Sequence, residues 1–516
     1  MTQHYLLRTL LIFGALFGMQ PLIAQDRNPA KNPQSTYYPW NDALKGNVKE
    51  EMKGMRNRNT KHYLMQDGSM RMISSLDALH YQGANGWEEI NLMVNPNTSG
   101  WHTTHPYYNG DNSFKTYYPS QLLNDKVYTR LKEGEMSEAF LSMYAADQNG
   151  SPVYTLTPNL NAAAVAEKNA VSYNLYPHIT VKYEQQSEGR KLNVQLNDAQ
   201  ALSLFPANAK YVVIKEKMVL PVSWTISQHG SSYDIYEGST WLANLPQAQA
   251  FDKMSSSINP DEVNSYMHDG QVMISQQGNE VLVYTRFELS WLKQSGRHYP
   301  VSLDPTLNFY PCASCSTVAG TPDSFKTGRI TNNTTSPNKI TGFIRMADAV
   351  GTAGGTVSWA RFDISTLPAG VTATSSTFYS AHYSGTGASK VTALVGMQTV
   401  DPKYALNTTV YTQIATGGPV YNTGYNFGDV FTSPYTWRAV IIGGTGLTDI
   451  VNQQAQGWTA MGIKYVSGNT GTMLHYGYEA AFNATTNETP KPYLVVNYST
   501  TLCNGAPTAG NATSTL

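Results

Sequence analysis

The feature of this sequence that most constrains its fold is the repetition of short apolar runs separated by turn residues. The runs at 272–275 and 281–284 flank Gly278-Asn279, a pair typical of a tight β-hairpin. The run at 493–496 is apolar throughout and is predicted to be a central strand buried on both faces. Helical periodicity is almost absent, and its clearest example is a short stretch at 448–457. This pattern predicts an all-β protein.

The composition supports this prediction and excludes several classes of protein. The 516 residues include 34 Tyr, 41 Gly and 26 Pro, which suit pleated sheet surfaces and many turns. Charged residues make up only 14%, against 41% hydrophobic residues, which excludes a charged disordered chain and a coiled coil. The net charge of −1 provides no global field to attract nucleic acid or an anionic membrane.

The first 24 residues have the layout of a secretory signal peptide. Arg8 supplies the positive charge, and 10–17 form an apolar core that is shorter than the ~20 residues needed to span a bilayer. Ala24 offers a cleavage point. No later segment reaches ~18 uninterrupted apolar residues. We therefore expect a secreted, extracellular or cell-surface protein without a membrane span.

Shifts in composition divide the remaining chain. Residues 25–55 are polar and predict a flexible lead, and 56–305 carry strand-like runs that predict a β-rich, sandwich-like domain. The segment 306–322 is rich in Pro, Ser, Gly and Thr and predicts a linker, after which the strand pattern resumes over 323–499. The tail 500–516 has too few apolar residues to fold alone.

The chain has three cysteines, so at most one disulfide can close within it. Cys312 and Cys315 form a C-x-x-C, but loop residues follow it instead of the helix N-terminus that a redox motif needs. A zinc site would need further Cys or His ligands nearby. We expect Cys312 and Cys315 to form a small local disulfide or to remain free thiols, without a redox or metal role.

The sequence contains no local catalytic signature. The G-x-S-x-G elbow, the H-E-x-x-H zinc motif and the phosphate-binding P-loop are all absent. His102 and His105 have the H-x-x-H spacing of metal ligands, but Trp101 and Pro106 disfavour the helix that would align them. We therefore interpret His102 and His105 as surface histidines in a loop.

Three pairs of carboxylates could suggest acid–base chemistry, but their positions favour solvated turns and strand edges. Adjacent residues of a strand point to opposite faces, and a glycine between two residues favours a turn. The pairs are Glu88-Glu89, Glu133 with Glu135, and Asp261-Glu262.

The nine tryptophans raise a carbohydrate-binding hypothesis, because an exposed aromatic ring can stack on the apolar face of a sugar. Five of them stand among residues typical of strands or of an apolar helix face, where a core position is the favoured interpretation. These five are Trp87, Trp291, Trp359, Trp437 and Trp458.

The second half of the chain resembles a DNRLRE domain, a secreted β-jelly-roll module of large bacterial surface proteins, although the D-N-R-L-R-E string itself is absent. The segments that carry this resemblance are 361–371, 373–378, 447–451, 457–458 and 492–498. The region before it resembles the β-rich region that often precedes this module, on the segments 59–61, 66–69, 80–81, 86–90 and 299–305. The resemblance implies a sandwich-like domain followed by a jelly roll, and it supplies no catalytic residues.

Residues 503–510 resemble the opening of an immunoglobulin-like repeat in surface proteins of Bacteroidetes-type bacteria. This resemblance implies that the sequence is a fragment of a longer protein. It also implies that Cys503 is unpaired.

These observations predict a non-enzymatic secreted or cell-surface module with an architectural or adhesive role, whose partner is an extracellular polymer or a cell-surface component. Two alternatives stay open, a carbohydrate-binding module and a secreted hydrolase whose site has no local motif. A sugar binder predicts coplanar exposed aromatic rings with polar neighbours, and a hydrolase predicts a cleft with convergent carboxylates.

No cofactor is expected from the sequence. A structural calcium ion stays open, because jelly rolls can hold Ca²⁺ through carboxylate and carbonyl oxygens, but no D-x-D-x-D-G loop is present. Asp348, Asp363 and Asp449 are interpreted first as turn or cap residues.

Overall fold

The computed structural model describes residues 47–76, 78–252, 267–309, 327–331, 338–341, 355–382, 391–426, 436–467 and 491–499. Strand makes up 53% of it and helix 10%, which confirms the prediction of an all-β fold. Several predictions fall outside the described residues: the signal peptide, most of the lead, Cys312, Cys315, Cys503, the tail 500–516, Asp348 and the pair Asp261-Glu262.

The strands are numbered in chain order. They are β1 Val48–Glu51, β2 Thr60–Met65, β3 Met70–Ser75, β4 His80–Gly83, β5 Gly86–Glu89, β6 Asn95–Pro96, β7 Tyr107–Asn109, β8 Lys115–Tyr118, β9 Val127–Arg130, β10 Glu135–Ala146, β11 Pro152–Thr155, β12 Val165–Glu167, β13 Ala170–Tyr176, β14 Ile179–Gln185, β15 Gly189–Leu196, β16 Tyr211–Val219, β17 Trp224–His229, β18 Ser232–Glu237, β19 Thr240–Leu245, β20 Gln249–Phe251, β21 Met267–Asp269, β22 Gln271–Gln277, β23 Glu280–Glu288, β24 Val301–Asp304, β25 Thr306–Phe309, β26 Thr327–Thr331, β27 Asn338–Thr341, β28 Thr356–Asp363, β29 Thr372–His382, β30 Val391–Gly396, β31 Val420–Asn426, β32 Thr436–Ile441, β33 Trp458–Ser467 and β34 Tyr493–Ser499.

The helices are short. The α-helices are α1 Leu289–Leu292, α2 Asn407–Thr412 and α3 Gly446–Asn452, the 3₁₀ turns are Lys53–Met55, Ala199–Leu204 and Gln454–Gln456, and Gln413–Gly417 is a π turn. None of the helices in the described ranges is both long and apolar enough to cross a bilayer.

Two large antiparallel sheets form the N-terminal region. Sheet A has nine strands in the order β22-β23-β16-β10-β9-β8-β7-β6, with β11 also paired to β10. Sheet B has eleven strands along the path β12-β13-β14-β15-β25-β19-β18-β17, with β20, β21 and β24 attached beside it. In β23 every second residue is buried, so one face of sheet A packs on the core and the other faces outward.

Two six-stranded sheets form the C-terminal region. Sheet C has the order β1-β2-β3-β34-β29-β32, and sheet D has the order β27-β26-β28-β33-β30-β31. One apolar cluster joins the two sheets, with Met72, Phe378 and Val496 from sheet C and Phe362 and Leu394 from sheet D. Strands β4 and β5 form a separate two-stranded sheet.

Strand pairing differs from the predicted domain boundaries at three places. Strand β1 lies within the predicted flexible lead 25–55, but it pairs with β2 in sheet C. Strands β2 and β3 lie within the predicted domain 56–305, but β3 pairs with β34, where Met72 is opposite Val496. Strand β25 lies within the predicted linker 306–322, but it pairs with β15 and β19 in sheet B. Residue patterns indicate that a segment is a strand, but they do not indicate which distant strand it pairs with.

Candidate functional site

The segment 97–106 connects β6 to β7 without regular secondary structure. The Asn97 side chain organises it, because Nδ2 donates to the carbonyl oxygens of Trp101, His102 and His105 at 2.9, 3.0 and 3.0 Å. Asn97 Oδ1 accepts the backbone N–H of Ser99 at 3.1 Å. One half-buried side-chain amide thus fixes the path of the whole segment, which we call the 97–106 loop.

The two histidines of the predicted H-x-x-H motif lie in this loop, but each has a partner of its own. His102 has a φ of 45°, and its Nε2 lies 2.9 Å from a carboxylate oxygen of Glu135 on β10. His105 is buried, and its Nε2 donates to the carbonyl oxygen of Lys126 at 2.8 Å. The loop prediction is therefore correct, whereas the surface position predicted for His105 is wrong. Across the described ranges, no three His, Cys, Asp or Glu residues are grouped to hold a metal ion.

An aromatic row lies beneath the loop on the outward face of sheet A. The strand register places Tyr108, Tyr117 and Tyr128 next to one another on β7, β8 and β9. The rings of Tyr108 and Tyr117 are stacked at 6.0 Å, and the imidazole of His102 is stacked on Tyr128 at 4.0 Å with an angle of 19°. Partial burial raises the pKa of Tyr128 above its ordinary value. The row gives the loop a rigid base.

Trp101 stands at the outer end of this assembly with 53% of its surface exposed. The guanidinium carbon of Arg130, on β9, lies 3.8 Å from the centroid of the indole ring. Arg130 is directly opposite Glu135 in the strand register, so a cation and a carboxylate lie beside the ring. We call Trp101, Arg130, His102, Tyr128 and Glu135 the Trp101 platform. It combines an open aromatic surface with hydrogen-bond donors and acceptors.

The other tryptophans largely follow the core interpretation. Trp291, Trp359 and Trp458 are buried, and Trp437 is half-buried against the core of sheet C. The core interpretation is wrong for Trp87, which is 36% exposed. Sequence reasoning did not single out Trp101 as an exposed ring. The signal that distinguishes it is its position in a polar segment that lacks the apolar alternation of a strand.

The two carboxylate pairs that the structure describes do not form an acid–base dyad. Glu88 accepts a hydrogen bond from the Tyr81 hydroxyl at 2.9 Å, whereas Glu89 forms an ion pair with buried Lys61. They lie on opposite faces of β5, as predicted. Lys61 lowers the pKa of Glu89 to about 2, so the carboxylate is ionised at neutral pH. Of the other described pair, Glu133 and Glu135, Glu135 reaches the Trp101 platform through its contact with His102.

Two of the three aspartates considered as calcium ligands have structural partners. Asp363 accepts the backbone N–H of Ser365 at 2.8 Å and the side-chain amide of Asn57 at 2.8 Å. Asp449 lies in the first turn of α3 and accepts the hydroxyl of Thr445 at 2.8 Å. These contacts are those of turn and helix-end residues.

A second cluster of ionisable groups is buried between sheets A and B. Glu138 and Glu216, on the adjacent strands β10 and β16, face Arg190 on β15 across a cavity of about 30 Å³. Arg190 is ion-paired to Glu138 and donates to the Thr129 hydroxyl at 2.6 Å. Burial raises the pKa of Glu216 to about 7 and lowers that of Arg190 to about 10. Arg190 is therefore charged at neutral pH, whereas Glu216 is partly protonated.

The size of this cavity limits what it can hold. A buried water needs a cavity of about 10–15 Å³, so this cavity of about 30 Å³ has room for about two waters. A sugar ring does not fit. The sequence signal for this cluster is weak, because charged residues are usually exposed. These three are buried because sheet B, which contains β15, packs on β10 and β16 of sheet A.

No protein-family model matches the chain, and no curated protein does. Among solved structures, it is partly similar to a family GH92 inverting mannosidase from Bacteroides thetaiotaomicron, with 12% identity and a TM-score of 0.16, covering 46% of this chain and 28% of that chain. It is also partly similar to an N-terminal tandem CBM22 domain from Paenibacillus barcinonensis, with 9% identity and a TM-score of 0.12, covering 62% of this chain and 91% of the other. The N-terminal domain of a Streptococcus gordonii adhesin has 6% identity and a TM-score of 0.13, covering 84% of this chain and 88% of the other. These TM-scores are too low for a function to be carried over.

Proposed function

We propose that this protein is a non-catalytic, secreted or surface-displayed adhesion module that binds a carbohydrate polymer through the Trp101 platform. The observation that carries the proposal is the 53% exposure of Trp101 on a loop that the Asn97 side chain holds in one conformation. A large apolar ring left in water forgoes the stabilisation that burial would give it. Contact with a ligand would recover that free energy.

The chemistry of the platform suits a sugar. The indole ring can pack against the C–H face of a pyranose, and stacking on Arg130 restricts the ring before the ligand arrives. A group that is already ordered loses less conformational entropy on binding, which favours affinity. Arg130 can donate to sugar hydroxyls and Glu135 can accept from them.

The platform favours this proposal over the two alternatives. An architectural spacer needs filled cores and polar faces, and it has no use for a braced, exposed tryptophan. A hydrolase needs convergent carboxylates in a cleft that admits its substrate, whereas Glu138 and Glu216 face a cavity of about 30 Å³. The predicted signal peptide supports a location outside the cell, where carbohydrate polymers are abundant.

A glycan array probed with the purified protein tests the proposal. We expect binding to at least one glycan and a loss of at least tenfold in affinity for Trp101→Ala, since aromatic anchors dominate small interfaces. Trp87→Ala is the matched control, because Trp87 is also exposed but lies on β5, outside sheet A. Binding to no glycan, or equal binding by wild type and Trp101→Ala, would overturn the proposal.

A further inference from the structure

Several cation–aromatic pairs lie on the outward face of sheet A. Besides Arg130 over Trp101, the Lys215 ammonium lies 5.4 Å from the ring centroid of Tyr284, and the guanidinium carbon of Arg286 lies 4.7 Å from that of Tyr211. Each distance is within the range in which the electron-rich face of a ring attracts a cation.

The strand register establishes that these pairs share one face. Lys215 on β16 is directly opposite Tyr284 on β23, and Arg286 is opposite Val213 two positions further along. The residues between them, such as Ile214 and Thr285, are buried on the core side. The same alternation places Arg130 outward on β9, because its neighbour Thr129 contacts Arg190 in the core.

The cations of this face outnumber its carboxylates. Glu280 is ion-paired to Lys217 at 3.2 Å, Glu288 lies 3.7 Å from Lys210, and Glu135 is hydrogen-bonded to His102 at 2.9 Å. Within the described residues, no carboxylate lies within ion-pair distance of the remaining cations, which are Lys115, Arg130, Lys215 and Arg286. A local positive excess thus exists in a chain whose net charge is −1.

The cations without a carboxylate partner form a long track and not a single spot. One of them, Arg286, donates to the side-chain oxygen of Gln271 at 2.8 Å. Along β10, the position opposite Arg130 is Glu135, and the position beside Val213 and Arg286 is Tyr144. These two positions are nine residues apart, which corresponds to about 30 Å at ~3.3 Å per residue. Exposed Leu141 lies between them and adds apolar surface to the track.

We propose that the outward face of sheet A binds an acidic polysaccharide, a polymer with carboxylate or sulfate groups, which deepens the proposed carbohydrate-binding function and depends on it. Trp101 stacks on a sugar ring at one end, and Lys215 and Arg286 bind anionic groups further along the chain. Arg can bind such a group through two parallel hydrogen bonds, and Lys as a point charge. A neutral polymer would meet the same rings but leave the four cations without anionic partners.

Two matched pairs of polymers test the inference: polygalacturonate against its fully methyl-esterified form, and dextran sulfate against dextran. We expect the acidic member of at least one pair to bind at least tenfold more tightly at low salt. The difference should shrink in 0.5 M NaCl, because salt screens the attraction between the cations and the acidic groups. The Debye length falls from ~10 Å at 0.1 M to ~3 Å at 1 M ionic strength.

The double variant Lys215→Gln, Arg286→Gln should reduce the preference for the acidic member while leaving binding to neutral glycans unchanged. Lys217→Gln is the matched control, because Lys217 is already ion-paired to Glu280. If acidic and neutral members bind equally, the inference is overturned and the proposed function stands. If duplex DNA binds as tightly as the acidic polymers, the face is a general polyanion site and the inference is also overturned. If no glycan of any kind binds, the proposed function itself fails.

Discussion

In one region of this molecule burial raises the pKa of a glutamate, and in the other it lowers the pKa of a histidine. Between sheets A and B, Glu216 lies beside the ion pair of Arg190 and Glu138, and burial raises the pKa of Glu216 to about 7. In sheet C, His62 is buried between two hydroxyls, those of Tyr498 and Thr366, each 2.8 Å from an imidazole nitrogen. Burial lowers the pKa of His62 to about 4.

The difference predicts opposite responses to pH. Folded Glu216 keeps its proton up to about pH 7, whereas an unfolded glutamate loses it near pH 4.5, so the stability of sheets A and B falls as pH rises through this window. An unfolded histidine binds a proton near pH 6.5, whereas folded His62 does so only near pH 4. The stability of sheets C and D therefore falls as pH drops from about 6.5 to 4.

The largest effect is expected when the central cation is removed from the core of sheets A and B. Arg190→Met leaves Glu138 buried without its ionic partner, which should lower the free energy of unfolding by about 3–5 kcal/mol. Urea denaturation at pH 7, followed by tryptophan fluorescence, measures this loss. Arg190→Lys keeps the charge and should lose less. A loss below ~1 kcal/mol for Arg190→Met would mean that the ion pair does not organise this core.

Glu216→Gln should make sheets A and B insensitive to pH in the window where the wild type loses stability. At pH 8 the free energy of unfolding of the variant should be about 3 kcal/mol higher than that of the wild type, because the variant avoids burying an ionised carboxylate. Denaturant titrations from pH 4.5 to pH 8 measure the two profiles. Glu280→Gln, on the exposed face of the same sheet, is the control and should retain the wild-type slope.

His62→Gln should reduce the loss of stability of sheets C and D at acid pH (the acid limb), by a comparable amount of about 3 kcal/mol between pH 6.5 and 4, since the pKa of His62 is lowered from 6.5 to about 4. Part of that limb should remain, because burial also lowers the pKa of His80 to about 3. Thermal unfolding scans across this pH range measure the change. The control is His229→Gln, which replaces a half-exposed histidine. An unchanged acid limb in His62→Gln would contradict the assignment.

Local features of the fold could be predicted from the sequence, whereas contacts between distant segments could not. The Gly278-Asn279 turn forms with Gly278 at a φ of 61°. The stretch 448–457, predicted to be helical, overlaps α3 and ends at Gly457 in a left-handed conformation. The predicted central strand 493–496 lies between β3 and β29, as expected for a strand with both edges paired. These features depend on neighbouring residues.

The missed features depend on pairing across hundreds of residues. The sequence of β3 is that of an ordinary strand, and nothing in it identifies β34 as its partner. Glu216 lies between two lysines in the sequence, and it is buried because sheet B, with Arg190, packs on its face of β16. The exposure of Trp101 follows from the hydrogen bonds of Asn97, which one sequence does not reveal.

The most direct test of the account follows Trp101 itself during binding. Replacing the nine tryptophans with 5-fluorotryptophan gives ¹⁹F NMR signals, of which Trp101→Phe and Trp87→Phe identify two. When the glycan that binds best on the array is titrated into the protein, we predict that the Trp101 signal shifts in proportion to occupancy while the Trp87 signal stays in place. A glycan that saturates the protein without moving the Trp101 signal would contradict the account.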